Sequence, residues 1–159
     1  MTLDVLIARR RTPERSFLSA LFDIGRFHTD DLLNDYMVET QLTASLNQLT
    51  DAMPYPILRD KIRCIAEETA GHAETLKAIL QEDGVPLPSE PPPESSPSHP
   101  SEIVSAVHDN AVKIRERLAR YTALRRTVPT TLRPLIENIR DEKEHHVADI
   151  RDVTIRIVR

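Results

Sequence analysis

Glycine and aromatic residues are scarce in this chain: three glycines, three phenylalanines, three tyrosines and no tryptophan among 159 residues. That leaves little of the turn and strand chemistry that an all-β protein consumes. A single cysteine, Cys64, excludes an internal disulfide and fits a reducing compartment. No apolar run approaches the length of a bilayer span, so no membrane partner is expected. There is no one-sided basic excess either; the net charge is -4, which gives no electrostatic case for nucleic acid or an anionic surface. Arg9 to Arg11 are not followed by an apolar segment, as a secretory signal requires, and Asp4, Glu14 and Asp23 argue against an organellar presequence. A cytoplasmic protein is the expectation.

What the chain has in abundance is Leu, Ile, Ala, Glu and Arg, a helix-forming mixture. It also has a nineteen-residue pattern that occurs twice, LRDKIRCIAEETAGHAETL from Leu58 and LRPLIENIRDEKEHHVADI from Leu132. Overlaid without a gap, the copies pair Leu58 with Leu132, Arg59 with Arg133, Ile62 with Ile136, Ile65 with Ile139, Glu68 with Glu142 and His72 with His146. Unrelated windows would share on the order of one identity, so the match marks an internal repeat. Each copy carries a Glu and a His four apart, which a helix sets on one face, one turn apart. Carboxylate and imidazole together make a metal half-site, here present twice.

The remaining elements follow from caps and breakers. Residues 1–11 read as an arm, and Thr12-Pro13 opens a short helix with Phe17, Leu18, Leu21 and Phe22 on one face, ending near Gly25. Thr29, Asp30 and Asp31 open helix A, which runs to about Thr50 and places Glu39 in the middle of an apolar stripe. Helix B runs from about Pro56 to Asp83 and is closed by Gly84. The stretch VPLPSEPPPESSPSHP, residues 85–100, forms no core, but sixteen residues of extended polyproline reach ~50 Å, enough to return along a helix of ~40 Å. Helix C then starts at the same end as helix B, runs from Ser101 to about Arg126, and turns Val104, Val107, Ala111, Ile114, Leu118 and Tyr121 inward. Helix D begins near Thr131 and continues to the end. Cys64 is expected in the core or at its boundary, and His28, His99 and His145 at the surface.

The predicted fold is an all-α four-helix bundle of two antiparallel hairpins, 29–84 and 101–159, joined by the crossover 85–100, with the N-terminal arm and short helix over 1–28, all in one domain. Levelled from the A–B turn, Glu39 reaches the depth of Glu68 and His72, and the repeat adds Glu142 and His146. These five are the candidate metal ligands. Carboxylates with imidazoles and no thiolate suit iron or manganese, one or two ions, and zinc as well.

The long crossover, the inward Glu of helix A, and the segments IAEE-x3-HA and IRDE-x3-HV on helices B and D resemble the ferritin-like superfamily, which includes ferritins, bacterioferritins and rubrerythrins. The resemblance covers Leu32 onward, apart from the proline segment. It implies a bundle with a di-iron or di-manganese carboxylate site at Glu39, Glu68, His72, Glu142 and His146. It also implies redox chemistry on oxygen or peroxide, ferrous iron or a small molecule, in a small oligomer such as a homodimer. Two departures support an alternative, a non-catalytic helical interaction protein with a degenerate site. The family spacing Glu-x-x-His is met only by Glu142 with the outward His145, and helix C supplies no matching glutamate; His108 and Asn110 are its nearest polar groups, placed toward the edge.

Overall fold

A computed structural model describes residues 29–89 and 95–158. The arm and short helix expected over 1–28 lie outside these residues, as does part of the crossover. Four helices follow in order: α1 (Thr29–Ala52), α2 (Pro56–Glu82), α3 (Pro100–Leu124) and α4 (Arg133–Ile157). No helix among the described residues is long and apolar enough to cross a membrane.

Local chemistry sets the boundaries. Pro56 and Pro100 occupy first-turn positions where a missing N–H costs nothing. Glu102 reaches back to accept from the backbone N–H groups of Ser98 and His99 at 2.8 and 3.1 Å, capping α3. Gly84, at φ 70°, takes the left-handed conformation that ends α2, and Val85 N–H closes the turn onto Leu80 O at 2.9 Å.

α1 and α2 form one hairpin and α3 and α4 the other, with lighter contacts of α1 on α3 and of α2 on α4. Polar contacts fix the directions. Asp31 meets Arg120 while Ser45 shares a pocket with Asp109, so α1 and α3 are antiparallel. Glu68 meets His146 and Lys61 meets Asp149, so α2 and α4 are antiparallel too. α3 therefore starts at the same end as α2, and the connection between them must travel the length of the bundle. The all-α four-helix bundle is the observed architecture, in an order compatible with a ferritin-like one.

The core falls into two apolar clusters. One contains Leu32, Leu76, Leu80, Leu124 and Ile136; the other contains Leu46, Leu49, Ile62, Ile114 and Ile150. Between them lies a layer of buried polar groups: Asp35, Glu39, Thr69, His72, Arg117, Lys143 and His146. Three sequence expectations are corrected. On α3, Val107, Ala111, Ile114 and Tyr121 are buried as expected, but the buried face is centred toward Ile103, Asn110 and Arg117, so Val104 is 38% exposed and Leu118 is only half-buried. Cys64 is exposed rather than in the core. Asn110 is buried, not at the edge, because it lies on the Ile103, Val107, Ile114, Arg117 side of the inward face.

Candidate functional site

The polar layer is built around Glu39, fully buried near the middle of α1. Its Oε2 accepts from Lys143 Nζ at 2.7 Å. Its Oε1 accepts from Arg117 Nε and from the Tyr121 hydroxyl, each at 3.0 Å. Lys143 Nζ donates also to Thr69 Oγ1 at 3.2 Å. Arg117 Nη2 donates to Asp35 Oδ1 at 2.6 Å and to the Tyr121 oxygen at 3.1 Å. Arg120 grips Asp35 from the more exposed side and reaches Asp31 at 3.2 Å. Two buried carboxylates, Asp35 and Glu39, thus face two buried cations, Arg117 and Lys143. A buried charge without such a partner would cost several kcal/mol.

The two copies of the repeat meet beside this network and exchange partners. His72 Nε2 bonds Glu142 Oε2 at 2.5 Å, and His146 Nε2 bonds Glu68 Oε2 at 2.6 Å. Each histidine of one copy takes the glutamate of the other, which is the mark of a local two-fold relation between α2 and α4. Thr69 and Lys143, which occupy equivalent repeat positions 74 residues apart, meet on the same symmetry. The imidazole rings stand 6.1 Å apart between centroids. Both histidines are buried, whereas Glu68 and Glu142 remain partly open to solvent.

Electrostatics follow from burial set against these partners. Burial alone would raise the Glu39 carboxyl, but the Lys143 and Arg117 cations outweigh it and hold Glu39 below its ordinary range. Burial lowers the Lys143 amine, opposed by Glu39. Burial works against the Arg117 charge, yet Tyr121, Glu39 and Asp35 raise it further. Tyr121 is raised by burial and by Glu39. Burial also lowers both histidines, and Lys143 adds to the effect; the bonds to Glu142 and Glu68 only partly oppose it. Neutral rings that donate from Nε2 fit these directions. Their Nδ1 atoms are then bare lone pairs, and both are buried without a hydrogen-bond partner among the described residues.

The structure buries Glu39, His72 and His146 at this level and leaves Glu68 and Glu142 at its solvent edge, with Glu39 in the ion network and the other four in two separate histidine–glutamate pairs beside it. Both oxygens of Glu39 are engaged by protein donors, and two of those donors are fixed cations. Among the described residues no group of three or more His, Cys, Asp or Glu side chains is placed to hold one metal ion. The donor set at Glu39 therefore does not fit a carboxylate-bridged metal pair. His108, one of the two polar groups of α3 nearest this level in the sequence, is exposed; Arg117 and Tyr121 reach the site instead.

No family model, curated protein or solved structure matches this chain. What can be said of its chemistry rests on the site itself.

The residues missed by sequence reasoning are Lys143, Arg117, Asp35 and Tyr121 as a polar partner. A signal was present for two of them. Lys143 sits on the apolar stripe Ile136, Ile139, His146, Ile150, and Arg117 on the stripe Ile114, Tyr121, Leu124. A cation on a buried stripe calls for a buried anion, and Glu39 was the anion already in view.

Proposed function

We propose that this chain is a divergent ferritin-like bundle acting as a non-redox helical interaction protein, with a protein-borne ion network where the resembling superfamily carries its metals. One observation carries this reading: Lys143 Nζ, fully buried, lies 2.7 Å from Glu39 Oε2. The lysine supplies from the chain the positive charge that a bound ion would otherwise bring to the central carboxylate. Iron or manganese chemistry on oxygen or peroxide needs open coordination positions, and Glu39 commits its oxygens to Lys143, Arg117 and Tyr121.

The surface that supports an interaction role is one end of the bundle. Tyr55, Ile57, Val104, Ile155 and Val158 are exposed there, around the α1–α2 turn, the start of α3 and the end of α4. Nearby charges are internally paired, Lys61 with Asp149 and Asp152, and Arg156 with Asp152. A neutral apolar patch is complementary to itself across a two-fold axis, so a second copy of the chain is the partner we assign to it. Sedimentation of the full chain beside Ile57→Glu/Val158→Glu tests the partner: the native protein is expected to dimerise and the variant to be monomeric.

One observation favours a second reading. The bare Nδ1 atoms of His72 and His146, each ring backed by a carboxylate on Nε2, keep the ligand–carboxylate arrangement of a metal-binding histidine. A single divalent cation on these two rings is the form it would take. Thermal unfolding with chelator and after anaerobic iron(II) loading separates the two readings. Equal midpoints support the ion network, and a loading-dependent rise abolished in His72→Gln/His146→Gln supports the cation.

A further inference from the structure

On the opposite side from the histidine pairs, α1, α3 and the last residues of the crossover line an open polar cavity of about 430 Å³. Its wall includes Asn110, which is 1% exposed. The Asn110 amide is oriented by its own helix: Nδ2 donates to Ala106 O at 2.8 Å, and a carbonyl can face only the nitrogen side of the amide. Oδ1 is thereby the other end, buried and without a hydrogen-bond partner among the described residues. An asparagine among Val107, Ala111 and Ile114 contributes nothing to an apolar core, and an acceptor left in that state calls for a donor that none of the described residues supplies.

The rest of the cavity defines which donor. Hydroxyls come from three directions: Ser45 on α1, Ser105 on α3, and Ser95 and Ser96 on the incoming segment. Asp109 and Lys113 stand one turn apart on α3 and offer one charge of each sign, while the third charged group of the wall, the Glu102 carboxylate, is already committed to Ser98 and His99 as the cap of α3. Among the described residues that line it there is no aromatic ring to act as a platform for a flat heterocycle. The volume lies within the range of small-molecule sites, roughly 300–1,000 Å³.

We propose that this cavity binds a small neutral polyhydroxy compound, a monosaccharide or cyclic polyol, with one hydroxyl donating to Asn110 Oδ1 and others exchanging hydrogen bonds with Ser45, Ser105 and Asp109. The site shares no residue with the Glu39 network, so it stands or falls independently of the non-redox reading.

The test is a titration of the full isotope-labelled chain with glucose and with myo-inositol, followed by amide NMR, and repeated with Asn110→Leu and Ser105→Val. Saturable shifts confined to the cavity residues are expected for at least one probe, with affinity weakened roughly tenfold or more in Asn110→Leu. Ser105→Val alters only the exposed mouth and keeps the test valid if the core variant does not fold. Its affinity is expected to fall as well. An absence of saturable shifts with both probes, or equal affinity in the native chain and both variants, would mean that solvent alone satisfies Asn110 and would overturn the proposal.

Discussion

Glu39 and Lys143 meet across the axis of the bundle, Oε2 to Nζ at 2.7 Å, from helices that are diagonal neighbours rather than a packed pair. The bond ties α1 to α4 and closes the polar layer between the two apolar clusters. Neither side chain is exposed to solvent, so removing one leaves the other as a buried charge.

Lys143→Ala is therefore expected to destabilise the fold by about 3–5 kcal/mol, the usual cost of breaking one side of a buried pair. Lys143→Met with Glu39→Gln removes both charges at similar volume. It should lose less than the sum of the two single changes, by roughly 0.5–3 kcal/mol. Urea unfolding of the four proteins measures this, and simple additivity would show that the two groups do not interact.

The two arginines of α3 should behave differently although both hold Asp35. Arg117 is buried and also serves Glu39, whereas Arg120 is partly exposed and shares its charge with Asp31. Arg117→Ala is expected to cost about 3–5 kcal/mol and Arg120→Ala about 0–1 kcal/mol. Comparable losses in the same unfolding assay would contradict the assignment of Arg117 to the buried network.

Acid should weaken the fold through the histidine pairs. Burial lowers the pKa of His72 and His146 in the folded chain, so below pH ~6.5 the unfolded chain takes up protons that the folded chain refuses. Their contribution is complete above that pH and is lost as pH falls toward the depressed folded values. Glu142 acts in the same direction at lower pH, because its bond to His72 outweighs burial and holds it below the ordinary carboxylate range. Melting temperature is expected to drop from pH 7 to pH 5, with a shallower drop in His72→Gln/His146→Gln. A slope unchanged by those substitutions would place the proton uptake elsewhere.

The repeat made much of this arrangement legible. Identities at Glu68/Glu142 and His72/His146 brought four side chains to one level, and a glutamate on an apolar stripe brought Glu39 to the same depth. The exchange of partners between copies was not legible, because an i, i+4 spacing describes one helix and says nothing of which neighbour lies across from it. On α3 the inward positions Val107, Ala111, Ile114 and Tyr121 were legible and Val104 and Leu118 were not: Ile103 and Val104 are both apolar and adjacent, so periodicity alone favours neither. Lys143 and Arg117 escaped notice because long cationic side chains are ordinarily assigned to solvent. Their stripe positions carried the contrary signal.

Metal content of the full chain, purified without a metal-affinity column and measured by elemental mass spectrometry after anaerobic iron(II) loading and desalting, tests the central claim most directly. If Lys143 and Arg117 supply the charge that balances Glu39, iron and manganese should remain far below one equivalent, and the Glu68→Ala/Glu142→Ala variant should give the same value. One or two equivalents in the native chain, lost in that variant, would contradict the ion-network account and establish a metal site.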